Sequence, residues 1–153
     1  LVRLSQIDIG FMRLPVGGGM ESEFVLQERL VALYKSDIKT DETFRVARFQ
    51  DEPFILYEGN SSGDISALLK RCNVTPRISV RTADASAVIS LVKSGAGMAI
   101  IPEGIFKELA GEKTTRGKIK TAPLDIPAYT DIGAVYKDKK EISVAVKTFL
   151  KFL

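Results

Sequence analysis

The sequence predicts an α/β fold, a largely parallel sheet with helices packed on both of its faces. Three observations carry this. The stretch Thr82 to Pro102, TADASAVISLVKSGAGMAIIP, reads as helix, glycine turn and buried strand. Its last apolar run, Met98 to Ile101, is too short for a helix and apolar on both faces, as a doubly covered strand requires. From Phe54 to Leu124 strands and helices then alternate, and right-handed crossovers make such a series nearly parallel.

In chain order, Ile7 to Leu14 is a mostly apolar strand, with Asp8 and Arg13 as its polar exceptions. Pro15 and Gly17–Gly18–Gly19 end it in a turn. Leu30 to Tyr34 forms a second strand, entered through Glu28–Arg29, and Ser36 to Asp41 is a polar loop. Thr43 to Glu52 reads equally as a short helix or a covering loop. Phe54 to Tyr57 is a strand, followed by the loop Glu58 to Gly63, EGNSSG. The next helix carries the stripe Ile65, Leu68, Leu69, Cys72, is capped by Ser61 or Ser62, and ends at Asn73 before Pro76.

Ile78 to Val80 is a short strand. Thr82 or Asp84 caps the helix built on Ala85, Val88, Ile89 and Val92, and Gly95 stops it in a left-handed conformation. Glu103 to Ala110 gives one or two helical turns. Ile119 to Leu124 is a strand, and Pro123 weakens that end or places it at an edge. Tyr129 to Lys137 is the last strand. The final helix starts at Lys139–Lys140 and turns Ile142, Ala145, Val146, Phe149, Leu150 and Leu153 inward. Passages near residues 31–37 and 126–131 divide the chain into residues 1–35 with 129–153, and residues 36–128. Two passages define a hinge, which makes the cleft between lobes the default ligand site.

Composition narrows the chemistry. The chain has 153 residues with 22 basic and 19 acidic side chains, and the cations are scattered, so the net +3 is poor support for nucleic-acid binding. The densest basic stretch, Lys113 to Lys120, has no aromatic partners and reads as a solvated loop. One cysteine and no histidine exclude an internal disulfide, a structural zinc site and the usual histidine base. Cys72 falls on an apolar stripe and reads as a buried thiol. No apolar run approaches the ~18 residues of a membrane span. Asp8 with Glu52 or Asp131 is the nearest approach to a carboxylate pair, and surface or hinge pairing explains those acids as well.

Candidate binding residues gather around EGNSSG. The amide of Asn60, the hydroxyls of Ser61 and Ser62 and the free N–H groups of the helix start suit an anion at the carboxyl end of strand 54–57. Capping by Ser61 and a turn at Asn60 are the plain alternatives. Arg13 interrupts an apolar strand and suits a carboxylate ligand or a salt bridge to Asp131. Thr82 adds a hydroxyl or merely caps. Phe54 and Tyr57 offer an apolar wall or packing, and Ile101 with Met98 lines the site or fills the core.

The segments IDIGFMRLP, ERLVALYKSD, DEPFILYE, SLVKSGAGMAIIP and IGAVYKD with its closing helix together resemble the effector-binding domain of LysR-type transcriptional regulators. The resemblance covers essentially the whole chain. It implies a two-lobed fold like periplasmic solute-binding proteins, with Rossmann-like subdomains and a two-passage hinge. It further implies a small anionic effector in the interlobe cleft, held by Arg13, Asn60, Ser61, Ser62, Thr82, Phe54 and Ile101, with no enzymatic activity and no cofactor. A dimer or tetramer in the cytoplasm, off the membrane, and DNA contact through an N-terminal winged helix-turn-helix belong to the same expectation. That DNA-binding part, and the first strand, helix and next strand of lobe one, are absent upstream of Leu1, so lobe one is expected to be incomplete and the chain a fragment. A solute-binding protein serving a transporter is the alternative, with an upstream signal peptide as its mark. An enzyme on a shared two-lobed scaffold is a third, which fold alone does not license.

Overall fold

The structure is a computed structural model and describes residues 7–110, 117–138 and 140–153. Lys113 to Arg116 of the basic loop and Lys139 lie outside the described residues. The chain divides into two compact units, Leu1–Gln27 with Thr130–Leu153, and Glu28–Tyr129. The first crossing therefore falls before Glu28, earlier than residues 31–37. The reason is packing: Leu30 to Tyr34 is buried in the core of the larger unit, together with Phe54, Ile55 and Ile100.

The larger unit is built on five strands. β1 (Gly10–Arg13) belongs to the smaller unit, and β2 (Glu21–Lys35) runs from one unit into the other. β3 (Pro53–Tyr57) pairs in parallel with β4 (Arg77–Thr82) and with β5 (Met98–Pro102). β5 is antiparallel to β2, with Val31 opposite Ile101, and β2 is antiparallel to β6 (Ile119–Pro123). β3, β4, β5 and β6 thus share one direction, as the alternation of strands and helices requires. The difference from expectation is that β2 separates β5 from β6. That insertion explains why LVALY is apolar on both faces, since a strand flanked and covered on every side has no wet face. β6 is an outer strand, where Pro123 costs no ladder bond.

Local chemistry sets the helix limits. α1 (Ser62–Arg71) ends where Asn73 takes the left-handed conformation, φ 53°, and Val74 N–H bonds back to Leu69 O. α2 (Ala85–Ser94) is capped by Asp84, whose Oδ1 accepts from Ser86 N–H at 2.8 Å and Ala87 N–H at 3.3 Å. Gly95, φ 86°, closes it. α3 (Glu103–Leu109) follows Pro102 directly. Cys72, at the end of α1, is half-buried. Thr43 to Glu52 resolves into a short 3₁₀ turn, Val46–Gln50, that drops Phe49 into the core. There Tyr34, Phe44, Phe49 and Phe54 form a chain of rings with centroids 5.1, 5.0 and 5.3 Å apart.

In the smaller unit β1 lies antiparallel to β7 (Tyr129–Tyr136), Arg13 opposite Ile132, and β7 lies beside β2. Ala134, Tyr136, Ile142 and Leu150 make its core, and Tyr136 OH donates to Glu23 Oε1 at 3.0 Å. α4 (Val144–Leu150) begins after Ser143, later than Lys139–Lys140. Asp138 is the cause: its carboxylate accepts from Lys140 N–H at 2.7 Å and its carbonyl from Glu141 N–H at 3.0 Å, a local turn that outcompetes helix. Ala145, Phe149 and Leu153, expected inward, are exposed. Among the described residues no helix is long and apolar enough to cross a membrane.

Candidate functional site

The carboxyl ends of β3 and β4 meet in one place. Tyr57 and Thr82 are partners in the last step of the parallel register, and Glu58 N–H donates to Thr82 O at 2.8 Å. The chain leaves β3 through residues 58–63 and enters α1, so the loop and the start of that helix sit over the strand ends, where open α/β sheets place ligands. Gly59 is the tight point. A side chain there would run into the Tyr57 ring, so only glycine lets the loop lie on that ring.

The start of α1 has an unusual polar balance. Ser62 N–H donates to Gly59 O at 3.0 Å, and Asp64 and Ile65 N–H groups donate to Ser61 O at 3.1 and 3.0 Å. Ser61 occupies the cap position, yet its hydroxyl makes no capping bond. The residue is 1% exposed, and its Oγ has no hydrogen-bond partner among the described residues. A buried hydroxyl left this way costs free energy of ~1–3 kcal/mol. Beside it Asn60 is exposed and Ser62 half-buried. Thr82 is half-buried and already engaged, since its Oγ1 accepts from Asp84 N–H at 3.1 Å.

Two further groups join the site. Tyr57 is buried, and its phenol is pushed above the ordinary tyrosine range, first by that burial and then by Glu28 and Asp84. It stays protonated, a hydrogen-bond donor at neutral pH. Glu28 lies against Gly104 at the head of α3, and its carboxyl is also raised, by burial and then by Glu108. The strand ends thus present donors from Tyr57 and the loop, with carboxylates on the side of β2 and α2. Arg81 balances Glu58 in an exposed pair at 3.1 Å.

Of the residues singled out from sequence, Asn60, Ser61, Ser62 and Thr82 are brought together here. Phe54 and Ile101 are not. Both are 0% exposed: Phe54 meets Phe49 edge to face at the opposite end of β3, and Ile101 faces Val31 within the sheet. They fill the core and offer no wall to a ligand. Arg13 ends β1 in the smaller unit, half-buried, while Asp131, its suggested ion-pair partner, accepts from Gln27 Nε2 at 2.8 Å. In the sequence Glu28 reads only as part of the charged entry to Leu30–Tyr34, and its place against the head of α3 follows from the fold.

This geometry sits in a chain whose relatives are informative. Residues 1–153 match the family described as LysR substrate binding domain. The chain belongs to that family. The uncharacterized HTH-type transcriptional regulator YnfL of Escherichia coli (strain K12) is 24% identical over 151 residues, 94% of this chain and 49% of the relative. HTH-type transcriptional regulator TfdS of Cupriavidus pinatubonensis is 30% identical over 113 residues, 68% of this chain and 38% of the relative. The chain therefore spans about half or less of the curated relatives it matches. Among solved structures, HinK, a LysR family transcriptional regulator from Pseudomonas aeruginosa, superposes with a TM-score of 0.83 at 18% identity, covering 99% of this chain and 53% of HinK. The regulatory domain of Synechocystis CcmR in complex with 2-PG gives 0.81 at 18%, covering 99% and 74%. These matches share the α/β fold. The matched proteins are transcriptional regulators rather than enzymes, and the chain is a LysR-type effector-binding regulatory domain.

Proposed function

We propose that this LysR-type domain senses a small anionic metabolite, held over the carboxyl ends of β3 and β4 in the cleft that the family resemblance implies. The buried, unpartnered Ser61 hydroxyl at the start of α1 carries the reading. A helix start favours negative charge, and an acceptor oxygen on the ligand would satisfy the Ser61 Oγ that the protein leaves bare. Since Ser61 is shielded, the ligand meets it when the 58–63 loop shifts, with Asn60 and Ser62 as the accessible first contacts. The Tyr57 phenol is a further donor, and Arg13 is the candidate contact from the smaller unit. The bound regulatory domain of CcmR supports a ligand-sensing role. Occupancy favours whichever arrangement of the protein binds the metabolite better. In the cell the reading places the domain in a cytoplasmic dimer or tetramer that contacts DNA through a helix-turn-helix segment beyond this chain.

Thermal unfolding of the chain with a panel of small carboxylates, phosphates and sulfur oxyanions tests this. Binding raises the midpoint with ligand concentration. The expected result is a saturable rise for one class, lost in Ser61→Ala and weakened in Arg13→Ala. A folded chain that responds to no member of the panel, or a rise that Ser61→Ala leaves intact, refutes the assignment.

A further inference from the structure

A concavity lies away from the strand ends. Lys39, Thr40, Asp41, Arg45 and Arg48 line an open groove of about 340 Å³, three cations against one carboxylate. We infer that it is a binding site for a small phosphate-class anion, separate from the site over β3 and β4.

The segment is held in place, which distinguishes it from a set of loose surface charges. Phe44 is 0% exposed, its N–H donates to Pro123 O at 2.7 Å, and its carbonyl accepts from Asp125 N–H at 3.0 Å. Val46 N–H donates to Asp125 Oδ1 at 2.9 Å. Both flanks of Arg45 are therefore tied to the end of β6. Arg48 is fixed in turn: its guanidinium carbon sits 5.0 Å from the Phe44 ring centre, and Nη1 donates to Lys39 O at 2.8 Å. An arginine oriented before the ligand arrives loses little entropy on binding.

The remaining charges are available. Arg45 Nη2 stands 3.9 Å from Asp41 Oδ2, beyond hydrogen-bond length, and both side chains are mostly exposed at 72% and 82%. A phosphate competes well for such a group, because a guanidinium binds it through two parallel bonds. A nucleic-acid backbone fits less well. Asp37, Glu42, Asp51 and Glu52 interleave the same segment, so no basic stripe extends beyond the concavity. A single compact anion needs none.

The test is a ¹H–¹⁵N correlation spectrum of the labelled chain, titrated with inorganic phosphate against chloride at matched ionic strength. Saturable shifts confined to residues 39–48 are expected, with phosphate affinity reduced at least tenfold in Lys39→Ala/Arg45→Ala. That double variant removes exposed cations and spares Arg48, whose stem packs on Phe44. Shifts that never saturate, that chloride reproduces, that persist in the variant, or that gather at residues 58–63 overturn the proposal. So does a DNA duplex that perturbs residues 39–48 when inorganic phosphate does not.

Discussion

Ser61 is the residue at which stability and binding pull in opposite directions. A hydroxyl with a partner contributes to stability, whereas one buried without a partner detracts from it. Ser61→Ala is thus expected to leave the unfolding free energy unchanged or to raise it by up to about 1 kcal/mol, while removing the ligand response. Urea unfolding of the two proteins measures this, and a clear loss of stability would mean that the hydroxyl has a partner after all. Glu28 gives a prediction with a definite sign. Its folded pKa lies above the ordinary value of 4.5, so the protonated form is the one the fold favours. The associated stability is full below that value and is lost as pH rises through the raised one. Glu28→Gln should be more stable than the parent at neutral pH, and the advantage should vanish in acid; denaturant midpoints across that range decide it. The sequence could locate the loop because EGNSSG stands between an apolar strand and an amphipathic helix. It could not rank Phe54 against Tyr57, because both belong to a run apolar on two faces. Only the position along β3 separates them, with Tyr57 last and beside the loop.

At the scale of elements, the clearest sequence signals were those with a short-range cause. Gly95 and Asn73 end helices through left-handed backbone, and Asp84 starts α2 through two side-chain bonds. Asp84→Ala should cost about 1 kcal/mol through the lost cap, read as a lower thermal midpoint without change in fold. What stayed hidden was mainly long-range. Nothing local in β2 says that its second half lies between β5 and β6. Gly97 sits where such a long-range contact is tightest. A Cβ there would meet the Pro53 carbonyl carbon at 2.9 Å, so β5 and β3 approach as closely as they do only because the position is glycine. Gly97→Ala forces the strands apart at a cost of about 1–3 kcal/mol. Gly17→Ala, with nothing within 4 Å, is the matching control and should cost little.

For the whole molecule, the two units differ in what holds them. The larger is one continuous segment, Glu28–Tyr129, with a core that runs across its sheet from Ala122 on β6 through Leu30 on β2 and Ile100 on β5 to Phe54 on β3. The smaller is assembled from two separated pieces around Ala134, Tyr136, Ile142 and Leu150, with Phe11, Phe24 and Phe152 exposed at 51%, 59% and 83%. Apolar burial supplies most of the stability of a fold at roughly 25 cal/mol per Å², so the two should open separately. Native-state hydrogen exchange resolves this. Amides of β3 and β5, such as Ile55 and Ile100, should exchange only through full unfolding, and those of α4 through a much smaller opening. Residues 28–129 made alone should then keep the slow amides slow, since every strand neighbour of β3 and β5 lies within that segment. Equal protection across both units, or loss of the slow set in the excised segment, would show instead that the fold depends on the two pieces together.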